Sequence, residues 1–167
     1  MELAPLYEAL LASSQALAAE LVARHITLAL AESCTGGLVA ATLTELPGAS
    51  AWFEGALVTY SNVAKERLLH VHHRMLQQHG AVSKEVALAM AAGVLGVTNA
   101  SWAAAVTGLA GPTGGDATTP VGTVWLAWQK RAGAGEAACH HFLGDRQTVR
   151  LSSARALIDG LRCRLAK

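Results

Sequence analysis

The chain has 167 residues, of which 52% are hydrophobic and 15% charged, and its formal net charge is +1. This balance excludes a broad basic surface and so argues against a nucleic-acid-binding protein. The apolar runs are interrupted within about 10 residues and are too short to span a membrane, which takes about 20.

Hydrophobic periodicity and capping residues predict helices that alternate with strands. The first predicted elements are a helix over Leu3–Arg24 that breaks near Ser13–Ser14, a strand over Ile26–Ala31, a helix over Leu38–Leu46 and a strand over Phe53–Tyr60. Next come a helix over Asn62–Leu69 capped by Ser61, a polar connection over His70–Gly80 with one helical turn around Met75, and a helix from Ser83 to about Gly96. The last elements are strands over Trp102–Thr107, Val121–Trp128 and Ala137–Leu143, and a helix capped by Asp145.

This order predicts an α/β fold, a three-layer α/β/α sandwich around a mixed, mostly parallel five-stranded sheet. No repeat or linker interrupts it, so we expect one domain. Ligands of such sheets bind at the carboxyl ends of the strands. Ser33, Tyr60 and Thr107 lie at the ends of the first three predicted strands. We therefore expect these three residues to share a cleft.

The turn Ala31–Gly37, with the sequence Ala-Glu-Ser-Cys-Thr-Gly-Gly, connects a strand to a helix. Backbone N–H groups at a helix start attract negative charge, and a hydroxyl beside them can be a nucleophile whose oxyanion they hold. Ser33 is therefore a candidate nucleophile, and the alternative is a helix N-cap. No lysine follows the glycines, so the turn is not a P-loop. A phosphate-binding turn is nevertheless a second alternative. We interpret Glu32 as a structural residue that bonds to the backbone of the turn.

A serine nucleophile needs a base, and Lys65 lies near the start of the helix that follows the second strand. In a partly desolvated cleft the pKa of a lysine falls, and its neutral amine can take the serine proton. The alternative is a solvated lysine on the helix surface. Tyr60 can tune the proton path of this pair, or it can be a core tyrosine at a strand end.

A long glycine-rich loop, Gly108–Pro120, lies between two predicted strands, and such loops are often functional. Thr107 and the amides of Gly108–Gly111 can bind polar ligand groups, or the glycines serve only the shape of the turn. Arg146 can form a fork onto a phosphate or carboxylate, and the alternative is a surface ion pair or a cap.

Cysteine and histidine patterns favour neither a disulfide framework nor a metal site. The three cysteines are widely spaced, which is typical of reduced thiols in the cytoplasm. Cys34 is an alternative nucleophile, but its motif contains no histidine to lower its pKa, which favours a buried structural thiol. The seven histidines show no paired metal-ligand spacing backed by a carboxylate, so a catalytic metal at the His70–His73 cluster is disfavoured.

Five motifs in a fixed order link the chain to a known family. They are Ala31–Gly37, Thr59–Lys65, Gly80–Ser83, Thr107–Pro112 together with Pro120–Val124, and Gly144–Arg146 before the last helix. On these motifs, which span nearly the whole chain, the sequence resembles the CinA C-terminal domain family, the nicotinamide-nucleotide amidohydrolases of the PncC type.

The resemblance implies an α/β/α sandwich, no metal and a homo-oligomer. Together with the composition, it leads us to expect a single domain over residues 1–167 that needs no cofactor and binds neither nucleic acid nor membrane. It implies that nicotinamide mononucleotide (NMN), the nucleotide substrate, is deamidated to nicotinic acid mononucleotide and ammonia in pyridine-nucleotide salvage. Ser33 would be the nucleophile, Lys65 the base and Tyr60 an assisting group. In this mechanism we expect amides at the Thr35–Gly37 helix start to hold the oxyanion. The expected substrate-binding residues are Thr35, Gly36, Gly37, Asn62, Thr107, Gly108, Ala110, Gly111 and Arg146.

Two other functions stay open. The chain could be a non-catalytic module that binds a nucleotide or a partner protein in the same cleft, in competence or stress physiology. It could also be a metal hydrolase that uses the His70–His73 cluster.

Overall fold

Five strands form one mixed sheet in the middle of the computed structural model, which describes residues 3–166. The strands are β1 (Leu28–Glu32), β2 (Phe53–Val58), β3 (Trp102–Gly108), β4 (Thr123–Lys130) and β5 (Glu136–His141). Their order across the sheet is β2-β1-β3-β4-β5. β1 is parallel to β2 and β3, whereas β4 is antiparallel to β3 and β5, which confirms the predicted mixed sheet with a hairpin.

Among the described residues, six α-helices cover the two faces of this sheet. They are α1 (Leu3–Ala23), α2 (Leu38–Thr44), α3 (Asn62–Leu69), α4 (His73–His79), α5 (Lys84–Val97) and α6 (Arg146–Leu165), with a short 3-10 helix at Ala49–Ala51. One hydrophobic core joins the sheet to α1, α2 and α6, and a second joins it to α3, α4 and α5. The three-layer α/β/α prediction is therefore confirmed. No helix within residues 3–166 has the length and apolar character needed to cross a bilayer.

The two faces of the sheet differ in side-chain size because successive strand residues point to opposite sides. In β1, Leu28 and Leu30 belong to the core under α1, α2 and α6, whereas Ala29 and Ala31 belong to the other core. The small alanines let α5 approach the sheet closely.

Helix α5 also touches the end of α3 at a glycine. A Cβ on Gly93 would lie 2.1 Å from the carbonyl oxygen of Leu69, the last residue of α3. Only glycine permits this approach, and α3 is the helix that contains Lys65.

The first helix differs from its prediction, because α1 continues through Ser13 and Ser14 without a break. Both serines are buried, and the Ser14 hydroxyl donates to the Leu10 carbonyl at 2.8 Å, so its polar group is satisfied within the helix. The connection after α3 also holds more helix than the single turn expected around Met75. The predicted N-caps are confirmed, since Ser61, Ser83 and Asp145 each accept from a backbone N–H.

We expect the Gly93→Ala substitution to lower the free energy of unfolding by about 1–3 kcal/mol, because the added methyl overlaps the Leu69 carbonyl. Urea denaturation of wild type and variant measures this difference.

Gly96→Ala is the matched control on the same helix. A Cβ at Gly96 meets nothing within 4 Å, so its cost should be absent or replaced by a gain in helix propensity of up to about 1 kcal/mol. Equal effects of the two substitutions would contradict the close approach of α5 to α3.

Candidate active site

Ser33 follows β1 directly and continues the backbone hydrogen bonding between β1 and β3 for one more residue. Its N–H donates to the Val106 carbonyl of β3 at 3.0 Å. The alternation of the strand sends Glu32 toward α2 and Ser33 toward α3. Neighbouring residues of one motif therefore serve opposite faces of the sheet.

Glu32 is fully buried and lies at the N-terminus of α2. Its Oε1 accepts from the Ala40 N–H at 2.8 Å, and its Oε2 accepts from the N–H groups of Gly37 and Val39 at 3.0 and 3.3 Å. The Thr35 hydroxyl also donates to Oε2, at 2.7 Å. These donors compensate the cost of burying the carboxylate, so the structural interpretation of Glu32 is confirmed.

The same bonds engage two of the three amides, those of Gly36 and Gly37, that were predicted to hold an oxyanion at the Thr35–Gly37 helix start; for the Thr35 N–H this role stays a prediction. The Gly37 N–H is used by Glu32, and the Gly36 N–H donates to the Ser33 carbonyl at 3.0 Å. The anion site at the start of α2 is therefore filled by a side chain of the chain itself. Sequence reasoning missed this because it treated those amides as free.

Lys65 extends from α3 into the sheet and is only 1% exposed. Its Nζ donates to Ser33 Oγ at 2.9 Å and to the Thr59 carbonyl at 2.7 Å. The Ser61 hydroxyl caps α3 by accepting from the Ala64 N–H at 3.1 Å, which fixes where the helix begins. The interpretation of Lys65 as a solvated surface residue is therefore wrong.

Burial lowers the pKa of Lys65 from 10.5 to about 8, because the charged form loses hydration. Roughly a tenth of the amine is then neutral at pH 7, and this neutral form can accept a proton from the serine. Burial has the opposite effect on the Cys34 thiol, whose pKa it raises to about 11. Ser33 with Lys65 is thus a better nucleophile–base pair than Cys34.

A cleft of about 330 Å³ opens over this pair and contains eight of the predicted site residues. These eight are Ser33, Tyr60, Lys65, Thr107, Gly108, Ala110, Gly111 and Arg146. The expected convergence of strand ends on one cleft is therefore confirmed.

Four predicted site residues lie outside the lining of the cleft: Thr35, Gly36, Gly37 and Asn62. The first three belong to the turn that follows Ser33, where Glu32 accepts from the Thr35 hydroxyl and the Gly37 N–H. Asn62 is the first residue of α3 and is exposed. For these four residues a role in substrate binding stays a prediction.

The structure adds Ala81, Val82 and Thr113 to the cleft, which sequence reasoning missed. The Thr107 hydroxyl donates to the Ala81 carbonyl at 2.8 Å and so joins this segment to the end of β3. The signal was present, because Ala81 and Val82 belong to the Gly80–Ser83 motif.

Arg146, at the start of α6, bridges the two sides of the cleft mouth. Its Nη1 donates to the Gly111 carbonyl at 2.7 Å and its Nη2 to the Tyr60 hydroxyl at 2.9 Å. Tyr60 is 60% exposed, so it is a rim residue and not the core tyrosine of the alternative interpretation. The fork of Arg146 is thus a cation at the entrance.

The histidines of the α3–α4 region pair with carboxylates instead of gathering in one place. His73 Nδ1 lies 2.9 Å from Glu66 Oε1, and His79 Nδ1 lies 3.7 Å from Glu85 Oε2. Within the described part of the chain, no three His, Cys, Asp or Glu side chains come together as a metal site would require.

Comparison with known proteins identifies the family. The family model "CinA C-terminal domain" matches residues 11–165, which is most of the chain. The chain belongs to the CinA C-terminal domain family. The predicted resemblance is confirmed.

Family members of two lengths resemble the chain. A "CinA-like protein" of Geotalea uraniireducens is 52% identical over 139 residues, which cover 83% of this chain and 33% of that protein. The chain thus spans about a third of the CinA-like relatives. The "Nicotinamide-nucleotide amidohydrolase PncC" of Escherichia coli K12 is 48% identical over 130 residues, which cover 78% of this chain and 79% of that enzyme.

Solved structures of the family share the fold over nearly all of the chain. The competence damage-inducible protein A from Klebsiella pneumoniae has a TM-score of 0.91 and 39% identity, covering 94% of this chain and 97% of its own. The competence/damage inducible protein CihA from Agrobacterium tumefaciens has a TM-score of 0.90 and 38% identity, covering 95% and 96%.

The lowered pKa of Lys65 predicts how stability depends on pH. Between pH 8 and 10.5 the unfolded lysine keeps its proton whereas the folded one has lost it, so this group makes the folded state more stable as pH rises through that window. Relative to Lys65→Met, wild type should gain on the order of 2 kcal/mol in free energy of unfolding between pH 7 and pH 10. Denaturant titrations of both proteins at the two pH values measure this gain.

Lys84→Met removes an exposed lysine at the start of α5 and is the control. The difference between wild type and this variant should stay constant over the same pH range. An equally constant difference for Lys65→Met would contradict the buried position of the Lys65 amine.

Proposed function

We propose that the protein is a nicotinamide-nucleotide amidohydrolase that converts NMN and water to nicotinic acid mononucleotide and ammonia. The observation that supports this most is the 2.9 Å contact between Lys65 Nζ and Ser33 Oγ beneath a cleft. A serine paired with a lysine of lowered pKa suits acyl transfer from an amide. The PncC relatives, which are about half identical to this chain over most of its length, support the same function.

In the first half of the reaction, neutral Lys65 takes the Ser33 proton while Oγ attacks the carboxamide carbon. The resulting ammonium lies beside the tetrahedral intermediate and stabilises its negative charge. The C–N bond then breaks, Lys65 returns the proton to the leaving nitrogen, and ammonia departs. The product of this half is an ester between Ser33 and the nicotinoyl group.

In the second half, water replaces ammonia. Lys65 accepts a proton from the water as the water oxygen attacks the ester carbon, and then gives that proton to Ser33 Oγ as the C–O bond breaks. The carboxylic acid product ionises and leaves, and the enzyme returns to its starting state.

The cleft mouth supplies the groups for the nucleotide part of the substrate. We infer that Arg146 meets the phosphate, because a guanidinium fork matches phosphate oxygens and the start of α2 is already filled by Glu32. Tyr60, bonded to Arg146, would move with it and could assist the proton path.

We also propose that the single domain works as a homo-oligomer in the cytoplasm. Exposed apolar side chains support the oligomer, since Val58 at the end of edge strand β2 is 45% exposed and Val63 and Leu68 of α3 are 54% and 46% exposed. The wide spacing of the cysteines, which is typical of reduced thiols, supports the cytoplasmic location.

Ammonia release from NMN by the purified protein tests the function. Ser33→Ala and Lys65→Ala should each lower kcat by at least about a thousandfold, because each removes one half of the nucleophile–base pair. Coupled detection of ammonia, with chromatography of nicotinic acid mononucleotide, measures the turnover.

Cys34→Ala is the matched control in the same turn and should keep kcat within a few-fold of wild type. Loss of turnover in Cys34→Ala with full turnover in Ser33→Ala would instead make the thiol the nucleophile. Turnover that disappears in chelator would support the metal hydrolase. Tight nucleotide binding by an inactive wild type would support the non-catalytic module.

The pH profile of kcat/KM should have an acidic limb with a midpoint near pH 8, because the base must be neutral to accept the serine proton. Below that midpoint the rate should fall tenfold for each pH unit. Initial rates between pH 5.5 and 9.5 measure the limb, and a rate that stays constant from pH 6 to 9 would exclude Lys65 as the base.

A further inference from the structure

An arginine outside the cleft holds the turn that presents Ser33. Arg150, on α6, donates from Nε and Nη2 to the Thr35 carbonyl, at 3.2 and 2.5 Å. It does not line the cleft. Its bond to the turn therefore needs an explanation other than substrate binding.

Two side chains hold the turn at Thr35. The Thr35 hydroxyl donates to Glu32, whereas the Thr35 carbonyl accepts its shortest hydrogen bond from Arg150. The other donor to this carbonyl is the Leu38 N–H, at 3.3 Å. Thr35 is fully buried, so its carbonyl would lose most of its hydrogen bonding without the guanidinium.

We propose that Arg150 is a positioning residue for the nucleophile: by holding the Thr35 carbonyl it keeps Ser33 Oγ within hydrogen-bond reach of Lys65 Nζ. The inference rests on the proposed function, in which Ser33 attacks the substrate. Thr35 is two residues from Ser33 in a turn closed by the Gly36 N–H to Ser33 carbonyl bond. A rotation of the Thr35 peptide would thus move the serine.

Helix α6 carries both Arg150 and Arg146, the arginine at the mouth of the cleft. Arg146 and Arg150 are four residues apart and lie on the same face of the helix. The first reaches the rim at Tyr60 and Gly111, and the second reaches the turn behind the nucleophile. One rigid helix therefore sets the spacing between the entrance cation and the nucleophile.

Two variants of Arg150 test the role. Arg150→Met keeps much of the side-chain volume and removes the donors, whereas Arg150→Lys keeps the charge and loses the fork. Arg155→Met is the control, because Arg155 lies on the same helix and pairs with Asp159, at 3.4 Å, instead of with the turn. The readouts are kcat and KM for NMN, and the rate at which a fluorophosphonate labels Ser33, measured by mass spectrometry per folded molecule.

Arg150→Met should lower kcat and the labelling rate together by about 10- to 100-fold with KM within twofold of wild type, because a misplaced nucleophile slows attack without weakening binding. Arg150→Lys should show a smaller loss, at least threefold, in the same two rates. Arg155→Met should match wild type in all three.

A kcat and labelling rate of Arg150→Met equal to those of Arg155→Met would overturn the positioning role, and so would a raised KM at unchanged kcat. If Arg150→Met does not fold, wild-type rates in Arg150→Lys overturn it. A wild type that labels at Ser33 but leaves NMN intact would refute the proposed substrate alone, and the labelling rates would still decide the role of Arg150. A wild type with neither reaction would refute both.

Discussion

The structure of the site depends on the burial of one amine. Lys65 Nζ reaches two acceptors, Ser33 Oγ and the Thr59 carbonyl, and the Thr59 N–H in turn donates to the Glu32 carbonyl at 2.8 Å. Glu32 and Ser33 are neighbours in the chain, so the bonds close a ring between β1, the end of β2 and α3. Burying a lysine is costly, and these acceptors offset part of that cost. The remainder appears as the lowered pKa that makes the amine a usable base.

A second buried charge decides where an anion can bind. The Glu32 carboxylate occupies the start of α2, which would otherwise attract a phosphate or an oxyanion. We therefore propose that an anionic group of the substrate is recognised at the mouth of the cleft, where Arg146 is exposed beside the glycine-rich loop. In this proposal the two ends of the cleft have separate tasks, proton transfer at the bottom and charge recognition at the rim.

The difference in side-chain size between the two faces of the sheet explains how Lys65 is placed beside Ser33. Alanines on one face of β1 and β3 let α5 lie close, and Gly93 lets α5 touch the end of α3 at Leu69. Helix α3 is therefore held between α5 and the ends of the strands, where its lysine points at the end of β1. The larger side chains on the other face support α1 and α6, and α6 brings Arg146 and Arg150 to the rim and to the turn.

The sequence alone determined the strand–turn–helix at Ser33, the caps at Ser61, Ser83 and Asp145, the layered α/β fold and the family, because periodicity, capping and motif order are local properties of the chain. It misjudged the Ser13–Ser14 break, because the Ser14 hydroxyl donates to the Leu10 carbonyl within the same helix. It also treated the Gly37 amide as free, although that amide donates to the buried carboxylate of Glu32. Tertiary structure alone decided that Ser33 and Lys65, 32 positions apart, meet at 2.9 Å, and that Arg150 reaches Thr35 across 115 positions. Such contacts depend on how helices pack on the two faces of the sheet, and no local pattern encodes that geometry.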